Sequence, residues 1–374
     1  MRIALLAPLV SPIAPPFLGG AQAFVYDLAV GLVARGHRVT LYAAEGSAVP
    51  GVEHVALGID ASVLRPARFD EVESDAPDPT FFAHARYFLR VMRHVRAHAG
   101  AYDLLHAHAY DWPAYAFGAL LPLPALHTLH LPAVNAAIRG ALAEATRREP
   151  GGAGNTHLAT VSHACAASYL PDVRIEHVIY NGLDLDLLPY GATSAADPYL
   201  LFAGRMAPEK GVADALAIAR AAGMRLVLAG GMYDRAYFER EVAPLLEPPR
   251  AAGRAEYLGL LPRERVWELM AGATAVLAPS HWAEPFGLAP CEAMACGAPV
   301  VGYATGALPE VVADGVTGWL TPPGDIAAAA AAVARVGELA RAACRARVAA
   351  RFSLAAMLDG YERLYRRLAG EDGP

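Results

Sequence analysis

The sequence predicts an α/β protein with two domains, each built on a doubly wound parallel sheet. Short apolar runs of strand length alternate with helical patterns along the whole chain, as in parallel sheets with crossover helices. The 374 residues are too many for one ordinary hydrophobic core. A loop-forming stretch at 187–198 directly precedes an apolar run and indicates the boundary between the domains.

The composition indicates well-packed cores and argues against several classes of protein. Hydrophobic residues make up 55% of the chain and charged residues 18%, which argues against long disordered regions. The formal net charge of −6 argues against a nucleic-acid-binding protein that relies on a general basic field. No apolar run is long enough to predict a membrane span.

The cysteines and the first residues favour a cytoplasmic location. The four cysteines are Cys165, Cys291, Cys296 and Cys344. They form no Cys-x-x-Cys pair, and we interpret them as buried or incidental thiols in a reducing compartment. The apolar run Ile3–Val10 imitates a secretory signal, but it is short and three prolines follow it. Because an α/β pattern continues from it without a break, we interpret it as the first strand.

The first domain is predicted to contain a parallel sheet and at least two helices. Gln22–Ala34 has a clear helical pattern that ends at Gly36. Phe81–Ala97 carries arginines opposite an apolar face, so it could lie on anionic lipid, but a core-packed helix with a solvated face is favoured. Contact with a membrane surface is left open and is not favoured. The predicted strands are Arg2–Pro8, Arg38–Ala43, Leu104–Ala107, Ala125–Leu129, His157–Val161 and Ile175–Tyr180.

The second domain repeats the alternation, and an amphipathic segment at about 354–368 follows it and must dock on another surface. We predict an N-terminal domain at 1–190, a C-terminal domain at 191–352 and a final helical segment at 353–374. The predicted strands are Tyr199–Ala203, Arg225–Ala229, Glu256–Leu258, Thr274–Pro279 and Pro299–Gly302. The predicted helices are Val212–Ala222, Arg235–Leu246, Arg263–Ala271, Leu288–Ala295 and Ile326–Arg335.

Two carboxylates separated by seven residues form the most informative motif. Glu284 lies in a loop after a strand, and Glu292 lies in an early turn of the next helix. The amides of Phe286, Gly287 and Leu288 are among the unpaired donors at the start of this helix, which favours an anion such as phosphate. Carboxylates beside an anion site suit a ligand that also carries hydroxyl groups, as a sugar nucleotide does. Either glutamate alone would be interpreted as a helix cap or a solvated side chain.

Two cations follow the first strand of the second domain, in the segment 204–211. Gly204 allows close approach of the backbone to a ligand. Arg205 and Lys210 place two positive charges near one point, where they could neutralise a diphosphate. The alternative is a helix-start loop with ordinary surface charges. Together with the two carboxylates, the pattern favours ligand binding.

A glycine pair follows the first strand of the chain, in the segment 16–20. Gly19 and Gly20 resemble a phosphate-cradling loop but lack the Gly-x-Gly-x-x-Gly fingerprint of dinucleotide-binding proteins. The pair allows either a close approach to a ligand or a simple turn.

Several histidines follow two successive strands of the first domain, at the edge of the sheet where ligands bind in such folds. Histidines in this pattern can ligate zinc, but the spacing fixes no ligand set, so no metal is expected. The alternative for any one of them is a packed loop histidine. His130 ends a strand at the expected mouth of the cleft between the domains and is the best candidate for contacting a reacting sugar or acceptor. The group comprises His106, His108, Asp111, His127 and His130.

Together these motifs resemble the retaining glycosyltransferases of family 4. Members have the GT-B fold, in which two Rossmann-like, doubly wound parallel-sheet domains face a central cleft. The stretch from Glu284 to Glu292 with its flanks is the most specific part, and the matches in the first domain are looser. The resemblance is carried by Gly19-Gly20, Arg35–Leu41, Thr128–His130, Val161-Ser162, Ile179–Asp184, Gly204-Arg205, Glu209–Gly211, Leu228–Gly231, Glu284–Leu288, Glu292–Val300, Gly306, Pro309–Val312 and Asp314–Gly318.

The resemblance implies a role for each residue of the second-domain motifs. Glu292 would hold the ribose hydroxyls of a nucleotide, and Glu284 would face the donor sugar. Arg205 and Lys210 would grip the diphosphate. These enzymes need no metal, and the only small molecule implied beside the acceptor is a nucleoside diphosphate sugar as co-substrate.

The resemblance also implies roles for backbone groups and for the first domain. The amides of Gly287 and Leu288 would bind phosphate or sugar oxygens, with Gly20 in the loop under the phosphates. His130 would lie beside the donor sugar, and the final helix would cross back onto the first domain. His163 stands where such enzymes often have a charged residue, and the segment 48–99, where acceptor choice usually lies, matches nothing specific. The acceptor is therefore unassigned.

The expected reaction moves a hexosyl or related unit from a UDP- or GDP-sugar to a hydroxyl group, with retention at the anomeric carbon. The acceptor would be a small molecule, a glycan or a lipid-linked compound. No carboxylate is clearly placed as a covalent nucleophile, so a same-face displacement is expected, in which the departing phosphate takes the acceptor proton. Two alternatives stay open: another GT-B enzyme such as a sugar-nucleotide epimerase or hydrolase, and a non-catalytic sugar-nucleotide-binding protein.

Overall fold

The chain forms two compact α/β units in the computed structural model, which describes residues 1–15, 17, 19–64, 79–147, 155–246 and 255–370. The first unit comprises Met1–Tyr180 and Met357–Pro374, and the second comprises Asn181–Ala356. In both units, all pairings between the named strands of the described ranges are parallel. The prediction of two parallel α/β sheets is therefore confirmed.

Among the described residues of the first unit, seven strands form one sheet in the order β3-β2-β1-β4-β5-β6-β7. The order reverses between β1 and β4, the kind of switch point beside which ligands bind in open α/β sheets. The strands are β1 (Arg2–Leu6), β2 (Arg38–Tyr42), β3 (Glu53–His54), β4 (Leu104–Ala107), β5 (Ala125–Leu129), β6 (Thr156–Thr160) and β7 (His177–Val178).

Helices cover the sheet of the first unit, and an apolar core of aliphatic and aromatic side chains fills the space between them. The helix predicted at 22–34 begins two residues earlier, and the one predicted at 81–97 begins at Pro79. Three short helices after β4, β5 and β6 were not predicted. The helices are α1 (Gly20–Ala34), α2 (Pro79–Ala97), α3 (Trp112–Gly118), α4 (Ala136–Ala145) and α5 (His163–Ala167), with short 3₁₀ turns at Ala61–Val63 and Ala99–Ala101.

In the described part of the second unit, six strands form a sheet in the order β10-β9-β8-β11-β12-β13. The edge strand Gly318–Thr321 was not predicted, because its sequence Gly-Trp-Leu-Thr has no extended apolar run. A Cβ at Gly318 would lie 2.3 Å from the carbonyl oxygen of Val300, so close pairing with β12 requires glycine there. The strands are β8 (Tyr199–Ala203), β9 (Arg225–Ala229), β10 (Ala255–Tyr257), β11 (Ala275–Ala278), β12 (Val300–Tyr303) and β13 (Gly318–Thr321).

The five helices predicted for the second unit are present at nearly the predicted positions, whereas the helices at Leu308–Val311 and Arg341–Arg351 were not predicted. The helix predicted at 235–246 contains a π-helical segment, Phe238–Val242, between two short α-helical turns. Short 3₁₀ turns lie at Pro208–Lys210 and Val336–Glu338. The helices are α6 (Val212–Ala221), α7 (Arg235–Tyr237), α8 (Ala243–Leu246), α9 (Arg263–Gly272), α10 (Leu288–Ala295), α11 (Leu308–Val311), α12 (Ile326–Ala334) and α13 (Arg341–Arg351).

The compact units divide the chain ten residues before the boundary predicted at 190, and again between 356 and 357. The backbone explains the first difference. The amide of Leu183 donates to the carbonyl of Phe352, and the amide of Leu354 donates to the carbonyl of Leu183, each at 2.8 Å. The guanidinium of Arg345 also donates to the carbonyl of Leu185 at 2.7 Å. Residues 181–190 are thus bonded into the second unit.

The last helix, α14 (Leu354–Leu368), packs within the first unit from Met357 onwards. A Cβ at Gly31 of α1 would lie 2.7 Å from Cδ1 of Leu358, so this glycine lets the two helices approach closely. Tyr361 and Tyr365 are fully buried. Glu362 pairs with His37 at 2.8 Å, at the edge of the same contact.

Candidate functional site

The two loops that carry the predicted cations and the first carboxylate are bonded together in the second unit. The carbonyl of Glu209 accepts hydrogen bonds from the amide of His281 at 3.0 Å and from the amide of Trp282 at 3.2 Å. The hydroxyl of Ser280 donates to the same carbonyl at 3.0 Å. Gly211 directly precedes α6 at φ +72°, and a Cβ there would lie 1.9 Å from the carbonyl oxygen of Pro279. Only glycine fits, so the loop after β8 is held against the end of β11.

Lys210 and Glu284 form an ion pair across these loops. The Nζ of Lys210 lies 2.5 Å from Oε1 of Glu284, and each side chain is 21% exposed. The hydroxyl oxygen of Ser280 also lies near that oxygen, at 3.1 Å. The backbone of Glu284 is enclosed as well, because a Cβ at Gly306 would lie 2.5 Å from its amide nitrogen and its carbonyl oxygen. The pair is therefore fixed in position and still reachable from solvent.

Arg205 lies on the same loop and stays largely exposed. Its Nη2 atom lies 3.3 Å from Oε1 of Glu209, and its side chain is 45% exposed. Its guanidinium carbon lies 4.4 Å from the centre of the Tyr233 ring, within cation–π distance. A Cβ at Gly230 would lie 1.8 Å from the carbonyl oxygen of Gly204, so the loops after β8 and β9 are in backbone contact.

The start of α10 supplies backbone donors, as predicted for an anion site. Gly287 precedes the helix at φ +93°, a conformation that favours glycine. Among the described residues, the amides of Gly287 and Leu288 have no hydrogen-bond acceptor. The side chain of Phe286 is buried, with its ring 5.6 Å from that of Phe352. A part for Phe286 in ligand binding is therefore limited to its backbone.

Glu292 has a partner that the sequence did not suggest. The Nε of Arg263 donates to Oε1 of Glu292 at 3.1 Å, and the two side chains are 24% and 14% exposed. The guanidinium of Arg263 also lies 4.6 Å from the ring centre of Trp267, which restricts its motion. Because 29 residues separate the two members of the pair, no spacing rule could have indicated it.

A second cluster near these loops was also missed. The hydroxyl of Tyr303 donates to Oδ2 of Asp214 at 2.5 Å, and Nε2 of His281 lies 3.0 Å from the same oxygen. Burial, together with the hydrogen bond to Asp214, raises the pKa of Tyr303 above its ordinary value. Asp214 lies in the first turn of α6, and no pattern in the sequence singled it out.

The glycine pair after β1 lies at the beginning of α1. Gly19 caps the helix in an extended conformation, and Gly20 is its first residue. A Cβ at Gly19 would lie 3.2 Å from Oε1 of Gln22, whose Nε2 donates to the hydroxyl of Ser11 at 2.8 Å. Both glycines are exposed. Positions 16 and 18 of the predicted motif lie outside the described residues.

The predicted histidine group of the first unit is mostly interior. His106, His108 and His127 are buried, and His130 is partly exposed. The Nδ1 of His108 lies 2.9 Å from Nε2 of His130. Burial lowers the pKa of His130 to about 4 and that of His127 to about 4. These histidines are therefore neutral near pH 7.

Asp111 does not join the buried histidines. Its Oδ1 lies 3.3 Å from Nδ1 of His84, on α2. Within the described ranges, no group of three or more His, Cys, Asp or Glu side chains is placed to hold a metal ion. The same ranges contain no helix that is long and apolar enough to cross a membrane.

The arrangement in the second unit suits an anionic ligand that carries hydroxyl groups. Two cations, Arg205 and Lys210, follow β8, and free amides open α10. Two carboxylates, Glu284 and Glu292, follow β11 and are each held by a basic partner. Cations and amides bind phosphate oxygens, and carboxylates accept hydrogen bonds from hydroxyl groups.

Both halves of the chain match family models. Residues 18–187 match the family described as Glycosyltransferase Family 4, and residues 192–351 match the one described as Glycosyl transferases group 1. A D-inositol 3-phosphate glycosyltransferase of Xylanimonas cellulosilytica is 32% identical over 98% of this chain and 97% of its own. Another protein of that name, from Mycolicibacterium paratuberculosis, is 31% identical over 87% of this chain and 79% of its own.

Solved structures share the fold over nearly the whole chain. Sucrose-phosphate synthase from Thermosynechococcus elongatus has a TM-score of 0.78 at 22% identity, covering 99% of this chain and 100% of its own. HepE of Anabaena, solved in complex with UDP and glucose, has a TM-score of 0.70 at 20% identity. This match covers 98% of this chain and 100% of the HepE chain. The predicted GT-B fold class is confirmed by these matches.

Proposed function

The chain belongs to glycosyltransferase family 4, a retaining family that transfers sugars from nucleotide sugars, and we propose a donor and an acceptor for it. The proposed donor is a UDP-hexose. The proposed acceptor is a small polar molecule with a free hydroxyl group. One observation carries the donor assignment: the exposed Arg205, the reachable Lys210–Glu284 pair and the free amides at the start of α10 belong to one set of bonded loops. That set combines donors for a diphosphate with an acceptor for a sugar hydroxyl.

The diphosphate is proposed to bind Arg205, Lys210 and the amides of Gly287 and Leu288. In the unliganded protein the charge of Lys210 is balanced by Glu284. A bound phosphate oxygen would share the ammonium group with Glu284, and the remaining carboxylate oxygen would accept a hydrogen bond from the sugar. The cations would then stabilise the charge that develops on the departing phosphate.

The nucleoside is proposed to be held by Glu292 through the ribose hydroxyls. Arg263 orients the carboxylate of Glu292 through its 3.1 Å hydrogen bond, and Trp267 restricts Arg263 in turn. Gly20 and Gly19 are proposed to lie beside the donor phosphates, and His130 to donate a hydrogen bond to the donor sugar. Uracil is the proposed base, because HepE was solved with UDP and also with UDP-glucose.

The proposed chemical step is a displacement on one face of the sugar. The bond from the anomeric carbon to the phosphate oxygen breaks, and a bond to the acceptor oxygen forms on the same face. The acceptor proton passes to the departing phosphate oxygen, so no separate base and no covalent glycosyl intermediate are needed. The configuration of the anomeric carbon is retained. No metal or other cofactor takes part in this proposal.

The reaction is proposed to occur in the cytoplasm. Cys165, Cys291, Cys296 and Cys344 are all buried, and none of them forms a disulfide within the described part of the chain. Burial raises the pKa of Cys296 to about 12 and that of Cys344 to about 11. Such thiols are unreactive and form no structural disulfide, which suits a reducing compartment.

The test is a turnover assay with UDP-glucose, UDP-galactose and GDP-mannose, each with and without an acceptor. D-inositol 3-phosphate, named for the relatives, is the first acceptor, followed by a panel of sugars and polyols. The expected result is release of UDP that depends on the acceptor, with an α-linked product by NMR. Turnover with GDP-mannose but with neither of the two UDP-sugars would refute uracil as the base. Release of free sugar at the same rate with and without every acceptor, or nucleotide binding without turnover on the whole panel, would refute transfer to such acceptors.

A further inference from the structure

We infer that His108 sets the tautomer of His130, so that His130 presents an Nδ1–H donor to its ligand. The two rings follow adjacent parallel strands, His108 directly after β4 and His130 directly after β5. Their contact joins Nδ1 of His108 to Nε2 of His130 at 2.9 Å. His108 is thereby a positioning residue that acts through His130. The inference rests on the proposed function only where it names the ligand, a donor-sugar hydroxyl.

His108 has few polar neighbours. Its side chain is 2% exposed, and it lies between the rings of Phe24 and His106, with centroids 5.3 Å and 4.0 Å away. Its Nε2 is buried and has no hydrogen-bond partner among the described residues. The ring can therefore form a side-chain hydrogen bond through Nδ1 alone, and that bond is to His130.

His106 cannot take the place of His130 as a partner, because both of its ring nitrogens are already engaged. Its Nδ1 lies 2.6 Å from the hydroxyl of Tyr365, and its Nε2 lies 2.8 Å from the hydroxyl of Thr128. Thr128 in turn lies 3.2 Å from the hydroxyl of Tyr361. Helix α14 thus fixes His106 from behind.

Two arrangements of protons are compatible with the contact. Burial lowers the pKa of both rings, so each carries a single N–H near pH 7. In the first arrangement, Nδ1–H of His108 donates to Nε2 of His130. In the second, Nε2–H of His130 donates to Nδ1 of His108, and His108 must then carry its own proton on the buried Nε2.

The first arrangement has the lower free energy. The second leaves an N–H group buried without an acceptor, and orphaned buried N–H groups are rare in proteins. The first leaves only a ring lone pair unpaired. His130 then carries its proton on Nδ1, the nitrogen that is neither bonded nor enclosed among the described residues. A ligand oxygen is the natural acceptor for that N–H, so His130 acts as a donor and not as a base.

The direct test is a long-range ¹H–¹⁵N spectrum of the full chain labelled at its histidine nitrogens, recorded near pH 7 without nucleotide. Spectra of His108→Asn and His130→Asn assign the two rings. Protonation of both rings at Nδ1 is expected. Protonation of His130 at Nε2 would overturn the inference, whatever the outcome of the turnover assay. A failed turnover assay with the expected spectrum would refute the proposed function alone.

Variants test the consequence for catalysis. His108→Leu removes the donor and is expected to mix the tautomers of His130 and to lower kcat roughly 10- to 100-fold, with the KM for UDP-sugar changed by no more than about 3-fold. His108→Asn keeps an N–H group at the Nδ1 position and should restore most of the lost kcat. His127→Leu is the matched control, since it removes a buried histidine on β5 that does not contact His130.

A merely structural role for His108 predicts a different pattern. Both His108→Leu and His127→Leu would then lower the midpoint of urea unfolding while the folded enzyme kept its kcat and the tautomer of His130. That pattern would overturn the inference. If His108→Leu does not fold, the wild-type spectrum and the kcat of His108→Asn still decide between the two arrangements.

Discussion

The two units hold their candidate functional groups by different physical means. In the second unit the groups are charged, partly exposed and paired: Lys210 with Glu284, and Arg263 with Glu292. In the first unit they are neutral and mostly buried, and rings or hydroxyl groups contact them. His130 there meets a second histidine and, among the residues that the structure describes, no charged partner.

The difference indicates which task each set can perform. Charges that stay near solvent can exchange a protein partner for a phosphate or a hydroxyl group at modest cost, because neither group is deeply desolvated. Neutral rings in an interior cannot balance a diphosphate, but they can direct one hydrogen bond with little freedom to move. The second unit is thus suited to holding the nucleotide, and the first to orienting an uncharged group.

The largest expected effect comes from removing a charge of the second unit. Lys210→Ala should lower kcat by about 1,000-fold or more, because the developing charge on the leaving phosphate loses its nearest ammonium group, a loss of about 4 kcal/mol. Steady-state release of UDP measures it. Arg235→Ala is the control, since its side chain is 82% exposed and, within the described ranges, pairs only with Glu239 on the same short helical segment. A loss below about 10-fold for Lys210→Ala would remove the phosphate assignment.

A smaller effect is expected from a neutral, buried group of the first unit. Burial lowers the pKa of His127 to about 4, whereas in the unfolded chain it is about 6.5. Between these values the unfolded chain binds more protons than the folded one, so the free energy of unfolding falls as the pH falls. His127→Leu should abolish this contribution, which reaches about 3 kcal/mol near pH 4.

Urea unfolding of wild type and His127→Leu from pH 8 to pH 4.5 measures that contribution. At pH 8 the histidine is neutral in both states, so the difference there gives only the change in packing. As the pH falls below 6.5, the free energy of unfolding should fall more steeply for the wild type than for His127→Leu. A difference that stays constant across this range would show that the pKa of His127 is the same in the folded and the unfolded chain, and the contrast between the units would fail.

Local patterns were sufficient to predict much of the fold. The strands at 104–107, 125–129, 199–203 and 225–229 and the helix at 288–295 have the predicted bounds, because each is an apolar or periodic run with clear turn residues beside it. The strand Gly318–Thr321 was missed because it is short and begins with glycine. Helices α3 and α5 have seven and five residues, too few to show a period.

The candidate site was predicted where its residues are close in sequence and missed where they are not. Glu284 and Glu292 lie on one turn and one helix, so their spacing revealed them. The partner of Glu292 is Arg263, and the partners of His106 include Tyr365, 259 residues away along the chain. Only the tertiary fold brings such pairs together.

The central claim, that the second unit binds the donor diphosphate through Lys210, can be tested by chemical labelling. Lys210 is the only lysine of the 374 residues, so reductive methylation has two amine targets, its Nζ and the α-amine of Met1. Mass spectrometry then compares labelling with and without saturating UDP-glucose. We expect UDP-glucose to reduce labelling of Lys210 by about 10-fold or more and to leave labelling of the α-amine unchanged. Equal labelling of Lys210 with and without bound UDP-glucose would contradict it.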